Sequence, residues 1–265
     1  MQVPVRPDSK KSFAGGRGNA VGRKKGEVGR VMNAEENRGT CPTANGREQE
    51  PSERILVMTA VEAEREAVLQ GLQDTKGFDV ILAGVGPAMA AARTAKALSS
   101  GNYKLVISAG IGGGFPGKAG IGDIVIAGEI IAADLGAETQ EGFSILEELG
   151  FGSSCIQTND MLVSRIAETF NGAGLPVHIG PVLTVSTATG TSDSALALAA
   201  RIEGAAAEAM EGYGVAAAAQ DQGVPVLEIR SVSNMVGPRD KSAWRIKEAL
   251  AALSSASSVL REVLR

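Results

Sequence analysis

Three short segments set polar side chains where chemistry could use them. In TAVEAEREAV, Glu62 and Glu64 follow the first apolar run directly, in the opening turn of a helix, where the strand ends of an open α/β sheet face the binding crevice. A carboxylate there can take a proton from an attacking water; Glu62, Glu64 and Glu66 also read simply as a solvated first turn that complements the helix dipole. In AEAMEGYGV, Glu211 ends a strand of small residues, and Gly212 lets backbone come close where the next helix begins. A carboxylate so placed can accept from both hydroxyls of a ribose while Met210 offers a soft apolar face to the sugar ring; a core methionine beside a surface glutamate fits the same residues. In VLEIRSVSNMVGPRD, Arg230 and Asn234 lie at and just beyond a strand's carboxyl end. The asparagine amide can donate to N7 or O6 of a purine or cap a turn, and Arg230 can orient these groups or act only as an ion-pair partner.

A fourth segment, SAGIGGGFPGKAGIG, reads as a Gly-rich turn between two apolar strands. Gly112 to Gly117 satisfies GxGxxG, and Gly112 to Ala119 misses GxxxxGK[ST] only at its last residue. Both phosphate-loop readings need a helix straight after the glycines. Here Pro116 and the strand DIVIAGEI follow, and Ala119 lacks the hydroxyl that would hold Mg²⁺. What remains is backbone at Gly112 and Gly113 that can approach a ligand closely. Cys41 and Cys155 form neither a disulfide framework nor a CxxC site, and the single His178 reads as structural, so neither metal nor cofactor is expected.

These groups need a scaffold, and the rest of the chain spells one. From Ile55, apolar runs bounded by Gly or Pro alternate with Ala-rich stretches, the pattern of an α/β domain. Strands are expected from Ile55, Val80, Lys104, Asp123, Val177, Ala205 and Val224. Helices are expected over Glu62 to Leu72, Ala88 to Leu98, Asn159 to Phe170, Ser192 to Ile202, Tyr213 to Gln220 and Asp240 to Leu264. Only 3% of residues are aromatic while Gly and Ala abound, which implies thin, closely packed layers.

With ILVMTAVEAE, SAGIGGGFPG, IIAADLGAE, ELGFG, GPVLTVSTATGT, AMEG and RSVSNMVGPRD in view, residues 54 to 265 resemble the nucleoside phosphorylase and hydrolase superfamily, above all its futalosine hydrolase branch. The resemblance implies a single-domain phosphorylase/hydrolase-like fold, α/β with a mixed central sheet flanked by helices. It also implies N-glycosidase activity on a small-molecule nucleoside without a cofactor, a place in menaquinone biosynthesis, and a homo-oligomer. By similarity to methylthioadenosine and adenosylhomocysteine nucleosidases, Glu64 matches the carboxylate that handles water, Met210 and Glu211 the ribose-binding pair, and Asn234 the contact to the leaving purine. Those adenine-specific relatives carry aspartate at the last position, so asparagine points to hypoxanthine. Ile111 stands where they have a serine and Ile156 where they have a stacking phenylalanine. For the branch, the 5′ substituent is a carboxylated aryl ketone, with Glu148 to Gly152, including Phe151, and Gly190 to Ser192 as neighbours. A phosphorylase is the nearest rival, although Glu62 and Glu64 would repel its phosphate; an adenine-releasing nucleosidase and a non-catalytic nucleoside-binding module are the others.

Residues 1–53 read differently, with charged residues and glycines but almost no periodic apolar positions, and are expected to be a disordered extension. The first 54 residues hold 11 Lys or Arg and 7 Asp or Glu, leaving 15 basic and 23 acidic residues beyond them. The acidic remainder speaks against gripping nucleic acid. The start shows neither an apolar signal core nor an acid-poor amphipathic leader, and no membrane segment is read, so a cytoplasmic location is expected. Met32 lies inside the extension, which suggests a translation start downstream of Met1. The intact mass of the native protein is expected to fall short of the 265-residue mass; a full-length mass would refute that start.

Overall fold

The structure, a computed structural model, describes residues 54–74 and 76–264; the disorder expected for residues 1–53 lies outside the described residues. Ten strands and seven α-helices follow one another among these residues. Strands β1 (Ile55–Thr59), β2 (Phe78–Leu82), β3 (Leu105–Gly114) and β10 (Val226–Met235) run parallel in the order β2-β1-β3-β10. Strand β10 pairs antiparallel with β4 (Ile124–Ala132), β4 parallel with β8 (Val177–Thr184), β8 parallel with β9 (Ala207–Ala209), and β9 antiparallel with β3. The cycle β3-β10-β4-β8-β9 therefore closes on itself, with β1 and β2 extending it as an open wing and β7 (Cys155–Gln157) added to β4. This is the expected mixed central sheet.

Alternating side chains feed two layers of core. Leu227 and Ile229 of β10 join Ile107, Ile126 and Phe170 on the side of α1 (Glu62–Leu72), α4 (Asp160–Gly172) and α7 (Ile246–Leu264), whereas Val226 and Val232 join Val106, Val215 and Ala216 on the side of α6 (Gly212–Asp221). Helix α2 (Pro87–Ser100) packs on α6, where Gly214 leaves room: a Cβ there would lie 2.1 Å from the Pro87 carbonyl oxygen. Helix α5 (Ser192–Arg201) covers a third, smaller cluster around Phe115, Leu183 and Val236.

The structure departs from the sequence reading in four places, one of them the short helix α3 (Leu146–Leu149), which lies outside the six expected helices. The Gly-rich turn is not at Gly112 and Gly113: β3 continues through Gly114, and the chain turns over residues 115–123. The glycines serve a strand crowded on both sides, since a Cβ at Gly112 would meet the Glu208 carbonyl oxygen at 2.7 Å and one at Gly114 the Ala119 carbonyl oxygen at 2.5 Å. The seven expected strands all form, but β7 and the hairpin of β5 (Gly136–Thr139) and β6 (Gly142–Ile145) add three more of three or four residues each, too short to show a period. The last expected helix is broken by Trp244 and Arg245: a 3₁₀ turn at Lys241–Ala243, begun by Asp240 accepting from Ser242 N–H, precedes α7.

Phe170 of α4 is fully buried in the larger cluster. Phe170→Ala is expected to lower unfolding free energy by about 3–5 kcal/mol in chemical denaturation, the loss typical of a truncated core aromatic.

Candidate functional site

Three acidic side chains converge on Arg230. In α1, Glu62 pairs with Arg65 at 2.6 Å on the surface and Glu66 is exposed, but Glu64 points inward and is 3% exposed. Its Oε2 accepts from the backbone N–H groups of Ala60 (2.8 Å) and Val61 (3.2 Å), and its Oε1 accepts from Ile111 N–H of β3 (2.9 Å). The solvated first turn therefore describes Glu62 and Glu66, while Glu64 faces inward. Gly110 separates Glu64 from Arg230: a Cβ there would stand 2.6 Å from Glu64 Oε1 and 2.7 Å from Arg230 Nη1.

Arg230 lies within β10, four residues further inside the strand than Asn234, and is 1% exposed. Its Nη1 donates to Glu211 Oε2 at 3.4 Å, its Nε to Glu228 Oε1 at 2.8 Å, and its Nη2 to Ser108 Oγ of β3 at 3.0 Å. Glu211, at the amino end of α6, also accepts from Gly86 N–H (3.3 Å) at the start of α2 and from Met210 N–H (3.3 Å). Gly86 has φ +90°, which a side chain rarely tolerates, so glycine is needed to aim that N–H.

Burial raises the Glu64 carboxyl above the ordinary carboxylate value; Arg230 and the backbone donors oppose the rise and the Glu211 charge adds to it. Burial likewise raises Glu228 against the pull of Arg230. Burial alone would lower Arg230, but Glu228, Glu211 and Glu64 together raise it, so the guanidinium stays charged. A carboxyl held above its usual range beside a fixed cation is suited to exchanging a proton with a substrate or water.

Asn234 is half-buried near the end of β10, opposite Gly113 of β3. The pairing slips by one residue at Ser233, a bulge that sets this register and turns the asparagine. The Ser233 hydroxyl, 3.2 Å from the Gly112 carbonyl oxygen, donates to Asn234 Oδ1 (2.9 Å), which leaves Asn234 Nδ2 as the donor end; it donates to the Met235 carbonyl at 3.0 Å. A Cβ on Gly113 would lie 3.3 Å from that Nδ2, so the glycine and the amide share one surface. Met210 is half-buried beside Glu211. A hydrogen bond joins Arg230 to Glu211, Glu64 stands beside Arg230 over Gly110, and β3 links them through Gly112 and Gly113 to Asn234. Ile156 of β7 is instead buried in the core cluster with Ile130 and Val215, and Phe151, just after α3 (Leu146–Leu149), is 77% exposed.

Two acidic residues escaped the sequence reading. Glu228 stands two positions before Arg230, so VLEIRS places opposite charges on one face of an otherwise apolar strand, and that spacing was the available signal. Glu208 of β9 is buried and accepts from Thr189 N–H (2.8 Å) and the Thr189 hydroxyl, pinning the loop before α5. No local pattern in AAAEAM announces that contact. Among the described residues no group of three His, Cys, Asp or Glu is placed to hold a metal ion.

A mixed sheet closed into a ring, with a carboxylate from the first helix meeting a second acidic residue over a glycine-lined strand, belongs to the Phosphorylase superfamily, whose profile matches residues 54–265. Within that class the chain is a member of the futalosine hydrolase family. It is 50% identical to futalosine hydrolase of Streptomyces coelicolor, over 79% of this chain and 96% of that one, and 46% identical to that of Acidothermus cellulolyticus, over 79% and 91%. The native structure of futalosine hydrolase of Helicobacter pylori superposes with a TM-score of 0.69 at 18% identity, covering 80% of this chain and 99% of that one, and so shares the fold.

The pH dependence of stability follows from Glu64. Its folded value lies above the unfolded one near 4.5, so the folded state binds this proton more tightly, and ionising Glu64 costs stability that is lost as pH rises through the folded value. Glu64→Gln is accordingly expected to raise the melting temperature at alkaline pH and to leave it nearly unchanged in acid. Calorimetry across pH checks this; an equal shift at every pH would contradict it.

Proposed function

We propose that the chain hydrolyses the N-glycosidic bond of futalosine to hypoxanthine and dehypoxanthinylfutalosine, as a step of menaquinone biosynthesis. The observation that carries this reading is the inward-facing Glu64 meeting Arg230 and Glu211 over Gly110, in a chain half identical to a futalosine hydrolase. As the C1′–N9 bond breaks, its electron pair passes to the purine and the sugar becomes oxocarbenium-like. Water adds to C1′ and gives up a proton to Glu64, whose raised affinity suits it to receive one; the purine anion takes up one proton from solvent to become hypoxanthine, and Glu64 releases one to solvent and returns to its carboxylate. Glu211 accepts from the ribose hydroxyls while Met210 lines the sugar, and Arg230 keeps Glu211 in place. Asn234 donates through Nδ2 to the departing hypoxanthine, an orientation supported by the Ser233 hydroxyl on its other end. An amide at this position suits an oxopurine, where aspartate would suit adenine.

Gly112 and Gly113 form the floor beside the sugar and base, and Phe151 and the Gly190 to Ser192 turn neighbour the aryl ketone arm, whereas Ile156 lies in the core and does not line the site. The reaction draws on side chains alone and needs no cofactor. Phosphate is a poor fit for the nucleophile, because the cluster sets three carboxylates against one guanidinium. The enzyme acts in the cytoplasm as a homo-oligomer, a reading supported by the family resemblance. No helix among the described residues is long and apolar enough to cross a membrane.

Purified protein is expected to release hypoxanthine from futalosine equally with and without phosphate, measured by chromatography of the free base. Glu64→Gln should lower turnover by ~10²- to 10⁴-fold, the usual contribution of one acid–base group. Phosphate dependence, release of adenine in preference from adenine nucleosides, or a near-normal rate in the variant would overturn the assignment.

A further inference from the structure

The buried cluster holds one carboxylate more than the reaction just described uses. Glu228 is 0% exposed; its Oε1 accepts from Arg230 Nε at 2.8 Å, and its Oε2 has no hydrogen-bond partner among the described residues. Gly212, the first residue of α6, closes against it so tightly that a Cβ there would lie 2.1 Å from Oε2. An acid oxygen left without a donor in a dry core costs stability, and apolar residues commonly replace buried ion pairs without loss. A charge kept at that cost, one guanidinium away from two site carboxylates, calls for a role in the site.

We propose that Glu228 is a positioning residue that acts through Arg230, fixing the guanidinium that holds Glu211 and setting how readily Glu64 accepts a proton. This rests on the reading of Glu64 as the proton acceptor. The geometry divides one guanidinium three ways: Nε to Glu228, Nη1 to Glu211 and Nη2 to Ser108. Glu228 takes the Nε edge, so Arg230 cannot rotate to present that edge to Glu211 or Glu64. Its charge also offsets that of Arg230. Were Glu228 neutral, the full positive charge would act on Glu64 and hold it as a carboxylate to lower pH. The charged groups facing the cluster are Arg230 from β10, Glu211 from the start of α6 and Glu64 from α1; β3 contributes the uncharged Ser108 and Gly110. Three acids share one base, so a change of charge at any one of them is felt by the others through Arg230.

The test is the pH dependence of kcat/KM for futalosine hydrolysis in the wild type, Glu228→Gln and Glu228→Asp. Glutamine keeps the size and an acceptor for Nε but removes the charge, and the acid limb is expected to move about one pH unit lower, a tenfold gain in relative rate on that limb. Aspartate keeps the charge on a shorter stem, so the limb should stay at its wild-type position while kcat falls. A merely structural Glu228 would lower the melting temperature and kcat without moving the limb, and a glutamine profile superimposable on wild type would overturn the proposal. Absence of hypoxanthine release by wild type would instead overturn the reaction assignment; the carboxyl ¹³C titration of Glu64 in wild type and Glu228→Gln then decides on Glu228, with a lower midpoint expected in the variant and an unchanged one overturning it. Should Glu228→Gln not fold, the ¹³C signal of Glu228 in wild type serves: an ionised carboxylate across the active pH range supports the role, and a protonated one refutes it.

Discussion

A guanidinium shut away from water is tolerable only while acceptors surround it, and Arg230 imposes that condition on much of the molecule. Its three bonded partners come from β10 itself, from β3 and from the start of α6, and a fourth group, Glu64, arrives from α1 across Gly110. These elements are far apart in the chain, and the parallel pairing of β3 with β10 brings Ser108 directly opposite Glu228. The ring of strands is therefore also a frame for one cation. Burial beside that cation gives Glu64 its raised proton affinity, against the pull of Arg230, so packing and chemistry share a cause.

Glycine is the second requirement, used in a strand where it would ordinarily weaken the structure. At Gly110, Gly112, Gly113 and Gly114 a side chain would strike, in turn, Glu64 and Arg230, the β9 backbone, Val236 and the Ala119 carbonyl. The entropy lost in ordering these residues is offset by letting two strands, a loop and a helix terminus approach one line of backbone. The bulge at Ser233 then swings Asn234 onto the same line. Polar groups from α1, α6 and β10 consequently face a surface that is almost bare main chain, which leaves room for a flat base and a sugar.

Much of the scaffold was legible because it is periodic. Helix α1 starts and ends where its pattern and its acidic first turn place it, and the seven expected strands form, six from apolar runs and β9 as three residues of the small-residue stretch AAAEAM. The hairpin of β5 and β6 and the strand β7 were not legible, because three or four residues held by neighbours carry no period of their own. The break at Trp244 and Arg245 was missed because the helical pattern runs on through it.

The candidate site divides along the same line. The sequence by itself determined the acidic turn after β1, the Met-Glu-Gly step before α6 and the Asn of β10, because each depends on residue type beside a strand end, whereas Arg230 lies in mid-strand. Only the tertiary structure decided that Glu64 turns inward while Glu62 and Glu66 face solvent, for their local patterns are equivalent and the choice is made by Ile111 N–H on a distant strand. It also decided that the glycines line a strand instead of forming a turn, that Glu208 holds Thr189, and that Glu228 completes the cluster around Arg230. Those outcomes rest on pairings between segments remote in sequence, and a local pattern holds no information about which backbone will arrive opposite it.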